Sequence, residues 1–282
     1  MRFYIVIPAH NESEHIGQTL ESLVNQEFLS EKIIVVNDHS TDDTAEIVEG
    51  FTKKYPFITL VNSTSEANHL PGSKVIEAFH KGYKSLDEEY DIICKFDADL
   101  VFPKNYLLKL KQIFEENSKI GMVGGFCYIE KNGKYVLENL TNKDHIRGAL
   151  KAYRKECFLQ IGKLKPSIGW DTIDELLAQY HGWKVVTDTS LKVKHLKPTG
   201  KTYGKEARFK QGEAFYKMRY GFWLTCIASA KLAFLKKRPM LLYDYLRGYF
   251  KTKKQKLPFL VNQEEGKFIR ELRWKKMRKK FL

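Results

Sequence analysis

Short β-branched runs alternate with stretches of helical period through the first 120 residues, and this alternation restricts the folds open to the chain. Residues 3–8 (FYIVIP), 32–37 (KIIVVN), 58–62 (ITLVN) and 92–96 (IICKF) each read as a strand. Between them Ile16, Leu20, Leu23 and Val24 share one helical face. A second helix is expected from STDDT, where Ser40 or Thr41 can cap and Asp42 and Asp43 suit the first turn. A third turns Val75, Ala78 and Phe79 inward, and a fourth is expected over residues 104–116. Strands that are nearly all apolar, separated by single helices, predict a parallel sheet covered on both faces. Ligands of such sheets bind beyond the carboxyl ends of the strands. Residues 8–12, residues 37–40, and Asp97 with Asp99 should therefore lie along one edge.

The fourth strand runs into KFDADLVFP, which sets two carboxylates between apolar segments. Desolvating an unpaired charge there costs several kcal/mol. Aspartates at i and i+2 of an extended chain point to the same side, roughly 7 Å apart. A bend at the strand end lets both approach one hard cation, and Mg²⁺ or Mn²⁺ favours a few carboxylates plus phosphate oxygens and water. Two turn aspartates making local hydrogen bonds are the plainer explanation.

The middle of the chain changes character. Residues 121–130 and 134–140 read as strands around the turn KNGK, an antiparallel or mixed section. A helical stretch near YRKECFLQIG, a helix in GWDTIDELLAQYHGW, and strands KVVTDT and LKVKH follow. In the last strand Leu191, Val193 and His195 share a face opposite Lys192 and Lys194. Beyond about residue 200 the sequence turns helical, aromatic and basic, which divides the chain into an α/β domain (1–200) and an extension (201–282).

Four segments in order, YIVIPAHNE, IIVVNDHSTDDT, PGSKVIEAFHKGY and KFDADLVFP, together resemble the nucleotide-sugar-binding half of inverting family 2 glycosyltransferases. The resemblance covers roughly residues 3–196. It implies a GT-A fold: a Rossmann-like, mostly parallel sheet with an antiparallel acceptor-side section. It also implies that Pro8, Ala9, His10, Glu12 and Asp38 hold the nucleotide base, with a uridine diphosphate sugar as the default donor. Asn37 stands where the family usually has an acid, so the base contact falls on Asp38. Lys74 matches a basic position facing the nucleotide or its phosphates. Asp97 would approach ribose or sugar, and Asp99 would ligate the Mg²⁺ or Mn²⁺ that bridges the diphosphate. His195 matches a histidine that completes the metal shell in some members, or else it caps the core. IGWDTIDELLAQYHGWKV resembles the acceptor-side motif that supplies the general base. Asp171 falls at that base, with Asp174, one helical turn on, as the alternative. Trp170 replaces the usual glutamate before the base and could serve as a sugar or acceptor platform.

Charge separates the two halves. Residues 1–190 hold 22 Lys or Arg against 28 Asp or Glu, whereas residues 191–282 hold 26 against 6. Such a tail meets nucleic acid, anionic lipid or an acidic protein surface. Aromatics from Phe209 to Phe234 beside KKRP, KTKKQK and RWKKMRKK fit the plane of an anionic membrane, although the apolar run is too short to span one. The expected setting is cytoplasmic and peripheral at the inner face of the cell membrane, with a glycan or polyprenyl-linked acceptor. Packing of the apolar face on the α/β domain or on a second subunit is the alternative. Four scattered cysteines without a CxxC pair suit a reducing compartment and suggest neither a zinc site nor a disulfide framework. The N-terminal apolar run is too short for a signal peptide and reads as the first strand. A nucleotidyl or phosphoryl transferase would also use paired carboxylates, but no GxxxxGK[ST] loop is present. A nucleic-acid-binding module would leave the polar clusters of the first domain without a purpose, and a transferase that binds donor without turnover is the remaining reading.

Overall fold

The alternation of strands and helices is realised almost residue for residue. The computed structural model describes residues 1–63, 73–138, 143–198 and 207–279. Its first half runs β1 (Phe3–Ala9), α1 (Ile16–Val24), β2 (Lys32–Asn37), α2 (Thr44–Lys54), β3 (Ile58–Asn62), α3 (Lys74–Lys84), β4 (Ile92–Phe96), β5 (Leu100–Val101) and α4 (Tyr106–Glu116). Then come β6 (Ile120–Lys131), β7 (Lys134–Leu137), β8 (Leu150–Arg154), α5 (Lys155–Gln160), α6 (Trp170–Tyr180) and β9 (Lys184–His195). Four helices close the chain: α7 (Ala207–Lys217), α8 (Gly221–Leu235), α9 (Met240–Lys254) and α10 (Gln263–Arg278).

One sheet orders the strands β3-β2-β1-β4-β8-β6-β9-β5, with β7 paired to β6. β3, β2, β1 and β4 are parallel, β8 runs antiparallel to β4 and β6, and β9 is parallel to β6. The parallel half thus meets a mixed half along the β4–β8 pair. Alternation along β1 sends Phe3, Ile5 and Ile7 to a core under α1, α2 and α4. Tyr4 and Val6 go to a second core under α3, α5 and α6.

Three local expectations change. Residues 150–154 form strand β8, although YRKECFLQIG reads as helix from Tyr153 onward; only Lys155–Gln160 is helical. Cross-strand pairing with β4 overrides local propensity there. KVVTDT and LKVKH are one continuous strand with an irregular register against β6. α2 begins at Thr44 with no side-chain cap, so Ser40 and Thr41 are not its caps and Asp42 lies outside its first turn. KNGK makes the expected hairpin turn, with Asn132 (φ 53°) and Gly133 (φ 72°) both left-handed.

The C-terminal helices share the core of the sheet. Ala214, Phe215, Met218, Leu224, Tyr249 and Ile269 belong to the same buried cluster as Phe79, Tyr153 and Ile173. α7 and α9 cross on glycines: a Cβ at Gly212 would fall 1.8 Å from the Tyr245 carbonyl oxygen, and one at Gly248 would fall 2.1 Å from that of Phe209. The expected boundary at residues 200 and 201 lies outside the described residues, as do Pro71 and Gly72 of PGSK. No described helix is long and apolar enough to cross a membrane.

Candidate active site

The first two strands of the parallel half end in loops that interlock. The Asp38 amide donates to the Ala9 carbonyl at 2.8 Å, and His10 Nδ1–H donates to the Asp38 carbonyl at 2.6 Å. Asp42 accepts from the Ser13 amide on one oxygen and from the Thr44 amide and hydroxyl on the other. Burial would raise its pKa, but these hydrogen bonds dominate and hold the carboxyl well below the ordinary range. Asn37 uses its amide oxygen on the Ser40 amide and its NH₂ on Asn62, so it braces the turn while Asp38 points outward, partly exposed. Pro8 and Ala9 are buried at the end of β1 and His10 is exposed. Lys74 opens α3, half-buried, and among the described residues no hydrogen bond or ion pair joins it to the cluster.

The turn after β4 is pinned from α1. Thr19 Oγ1 donates to the Ala98 carbonyl at 2.7 Å and accepts from the Leu100 amide at 3.1 Å. This bend carries both aspartates. Asp97 ion-pairs with Lys95, a nearly fully buried lysine of β4. Asp99 Oδ2 accepts from His195 Nε2 at 3.2 Å, and His195 Nδ1 donates to Glu138 Oε2 at 2.6 Å. Burial disfavours the charged imidazole, but Asp99 and Glu138 on either side raise its pKa overall. Glu138 also pairs with Arg147. Cys127, Glu138 and His195 each have one ligand atom within 4.8 Å of the others.

Two buried carboxylate oxygens lack hydrogen-bond partners here, Asp99 Oδ1 and Glu12 Oε2. Glu12 also pairs with Lys197 at 3.0 Å. Its pKa is raised, first by burial and then, against the help of Lys197, by the Asp99 charge. Unsatisfied buried carboxylate oxygens beside a histidine are the donor set a divalent cation takes. Asp99 and His195, the ligand pair expected from sequence, are hydrogen-bonded to each other, and Glu12, assigned from sequence to the base, lies close enough to feel the Asp99 charge.

On the far side of β4, strand β8 carries Lys151 directly opposite Lys95. Lys151 is fully buried and donates to Asp174 Oδ1 and Oδ2 (2.8 and 2.9 Å), Glu175 Oε1 (3.2 Å) and the Asp171 carbonyl (2.5 Å). Tyr153 adds a hydrogen bond to Asp174 Oδ2 at 2.6 Å. Burial lifts Asp174 to about 6 even against Lys151. Asp174 is therefore buried in the core with both carboxylate oxygens hydrogen-bonded.

Asp171, one turn earlier, is about one-third exposed. Its Oδ2 lies 3.4 Å from His145 Nε2, and His145 Nδ1 donates to Glu175 Oε2 at 3.0 Å. With a carboxylate at each nitrogen, the imidazole is doubly protonated; burial opposes the charge, yet the two acids raise His145 to about 9. Burial likewise pushes Asp171 up, and His145, Lys151 and Lys95 more than reverse it, leaving the carboxylate below its ordinary pKa. Trp170 is no open platform. It is 7% exposed, the Lys95 and Lys151 ammoniums sit 5.4 and 5.7 Å from its ring, and Gly148 packs so closely that a Cβ there would fall 2.6 Å from the indole.

Backbone and charge join the two sides. Lys95 Nζ donates to the Gly148 carbonyl at 3.1 Å, and a Cβ on Gly148 would lie 3.4 Å from Asp171 Cβ. A small cavity lined by Cys127, Glu138, His145 and Arg147 lies between the Asp99 group and the Asp171 group. Sequence reading missed Lys95, Lys151, Glu138, His145, Arg147 and Glu175. The lysine inside the apolar run IICKF was a signal for the first; the others sit in segments with no distinctive spacing.

The sequence profile described as Glycosyl transferase family 2 matches residues 4–163 of this chain, more than half of it. The chain is 33% identical over 122 residues to the poly-β-1,6-N-acetyl-D-glucosamine synthase of Staphylococcus epidermidis, a match that covers 43% of this chain and 27% of that protein. Such matches span about a third or less of the length of these curated relatives. Among solved structures, the mannosyltransferase PcManGT of Pyrobaculum calidifontis, in complex with GDP-Man and Mn²⁺, superposes with a TM-score of 0.60 at 15% identity. The match covers 95% of this chain and 78% of that one. S. aureus TarS in complex with UDP-GlcNAc follows with a TM-score of 0.58 at 16% identity, covering 89% of this chain and 73% of that one.

Proposed function

The chain belongs to glycosyl transferase family 2, and from that premise we propose that it moves one sugar from a nucleoside diphosphate sugar to a hydroxyl of a glycan or lipid-linked acceptor, with inversion at the anomeric carbon. One observation carries the reading. Three loops distant in sequence follow the carboxyl ends of the neighbouring strands β1, β2 and β4; they carry a partly exposed Asp38 and two orphan carboxylate oxygens, and Asp171 is the one acid of the Asp171–Asp174–Glu175 group that is not buried.

Asp38 accepts the imide N–H of the base, which favours uracil. A uridine diphosphate donor accords with TarS, whereas PcManGT holds a guanosine one. Asp99 and, once its Nε2 proton is displaced, His195 would hold Mg²⁺ or Mn²⁺ with Glu12 alongside, and Glu138 would orient the imidazole from its other nitrogen. Such an ion, when bound, neutralises charge on the departing diphosphate. Asp97, fixed by Lys95, faces the ribose or sugar. Asp171 is the general base. Its depressed pKa keeps it ionised near neutrality, and its exposed oxygen accepts the proton of the acceptor hydroxyl as that oxygen attacks. Attack from the face opposite the diphosphate inverts the anomeric centre.

Titration calorimetry with UDP and Mn²⁺, paired with a transfer assay, tests these roles. Asp99→Ala is expected to abolish cation-dependent nucleotide binding. Asp171→Asn is expected to bind the nucleotide normally and lose transfer. Unchanged turnover in either variant refutes the role given to that residue.

A further inference from the structure

α8 contradicts its own environment. Its fifteen residues, GFWLTCIASAKLAFL, contain a single charge, Lys231. A helix apolar on all sides belongs inside protein or lipid, yet only one side of α8 is covered, through Leu224, Thr225, Ser229 and Ala233. On the other side Trp223 (73% exposed), Ile227 and Phe234 (82% exposed) follow one another at helical spacing along a single face.

α9 continues this surface. Phe222, at the start of α8, meets Phe250, near the end of α9, with ring centroids 6.0 Å apart, so the two helices form an antiparallel hairpin. Exposed Met240, Tyr243 and Phe250 lie at i, i+3 and i+10, in one stripe with exposed Arg247. Leu235, also exposed, and the cationic tip Lys236, Lys237 and Arg238 close the hairpin. Residues 221–256 hold nine Lys or Arg and one carboxylate, Asp244, which is buried. The exposed charged side chains of the hairpin are therefore all cationic.

We propose that this face of the α8–α9 hairpin seats in the interface of an anionic lipid bilayer, lying in its plane. Trp, Tyr and Phe beside Lys and Arg match the boundary between headgroups and acyl chains. α8 is roughly 22 Å long at 1.5 Å per residue, too short to cross the hydrocarbon. A second copy of the chain fits poorly, because it would set one cationic rim against another. Nucleic acid would satisfy the lysines and leave Ile227, Phe234, Leu235 and Met240 wet. α10 contributes less than its composition predicts: Lys276 pairs with Asp144, Arg273 is bonded to Tyr220, and Phe268 packs on Tyr180. The inference stands on the hairpin alone and does not depend on the donor or the base.

Co-sedimentation of the full chain with phosphatidylcholine vesicles containing about one-third phosphatidylglycerol tests it. The wild type is expected to sediment with these vesicles and not with pure phosphatidylcholine. A double variant, Trp223→Ser with Phe234→Ser, should lose about tenfold or more in partitioning, as should a charge-reversed tip, Lys236→Glu with Lys237→Glu. Both change exposed side chains, and an unaltered thermal melt verifies that they fold. Failure of the wild type to bind anionic vesicles overturns the proposal. So does binding that the double variant retains, or a wild-type dimer in sedimentation velocity that Trp223→Ser with Phe234→Ser dissociates.

Discussion

The edge that follows β1, β2 and β4 and the wall formed by β8 and α6 treat buried charge in opposite ways. The edge leaves Asp99 Oδ1 and Glu12 Oε2 without partners and lets Glu12 feel the Asp99 charge. The wall neutralises itself: Lys151, Tyr153 and His145 occupy Asp174 and Glu175, and of the three acids Asp171 alone is partly exposed. The edge leaves one oxygen of each of two paired carboxylates open to a further partner, whereas the wall engages both oxygens of Asp174 and holds that group in place.

If the wall is the catalytic side, Asp171→Asn should lower kcat by roughly 10²–10⁴-fold with nucleotide affinity intact. Single-turnover kinetics check this, and a loss confined to KM would reassign Asp171 to binding. Lys151→Met would leave Asp174 buried without its cation, with Glu175 held by His145 alone, costing about 3–5 kcal/mol in urea unfolding. A change under about 1 kcal/mol would mean that these acids take up protons readily and that the contrast with the edge is weaker than described.

His145→Gln keeps a hydrogen bond to the base and removes the positive charge. It should lower kcat about tenfold and move the acidic limb of the rate profile upward, because Asp171 loses a charge that depresses its pKa. In the folded chain His145 titrates near 9, against 6.5 unperturbed. Its contribution to stability is therefore complete below about pH 6.5 and is lost as pH rises through 9. Melts across that window should show the fall in the wild type and a shallower one in His145→Gln. The smallest effect belongs to the edge. Asp42→Ala removes the clamp between the first two loops and should cost about 1 kcal/mol, with weakened nucleotide binding in calorimetry.

Reading the residues alone reached the edge more completely than the wall, and the reason is the range of the interactions. Ligand loops at the carboxyl ends of parallel strands follow from strand order, and strand order follows from alternation of apolar runs. Asp38, Asp97 and Asp99 could thus be named from their positions in the chain, and His195 from the family resemblance. The acids of α6 could be named but not sorted. Asp171 and Asp174 sit one helical turn apart, and it is Lys151 and Tyr153, more than twenty residues away on β8, that engage Asp174. The resemblance makes Trp170 a sugar or acceptor platform, whereas an indole near a helix start is often plain packing; Gly148 and two buried lysines close over it.

The C-terminal helices divide along the same line. Composition made the tail basic and aromatic, and helical period made it helical. Nothing in composition tells which aromatics face the sheet: Phe215 and Tyr220 are buried, while Trp223 and Phe234 are bare. What the sequence determined by itself was periodicity, and with it the strands, the helices and the carboxylates at strand ends, because these depend on neighbours a few residues apart. Only the tertiary structure decided which charges are compensated and which apolar side chains are covered, because burial and pairing are set by residues that the chain brings together from far away.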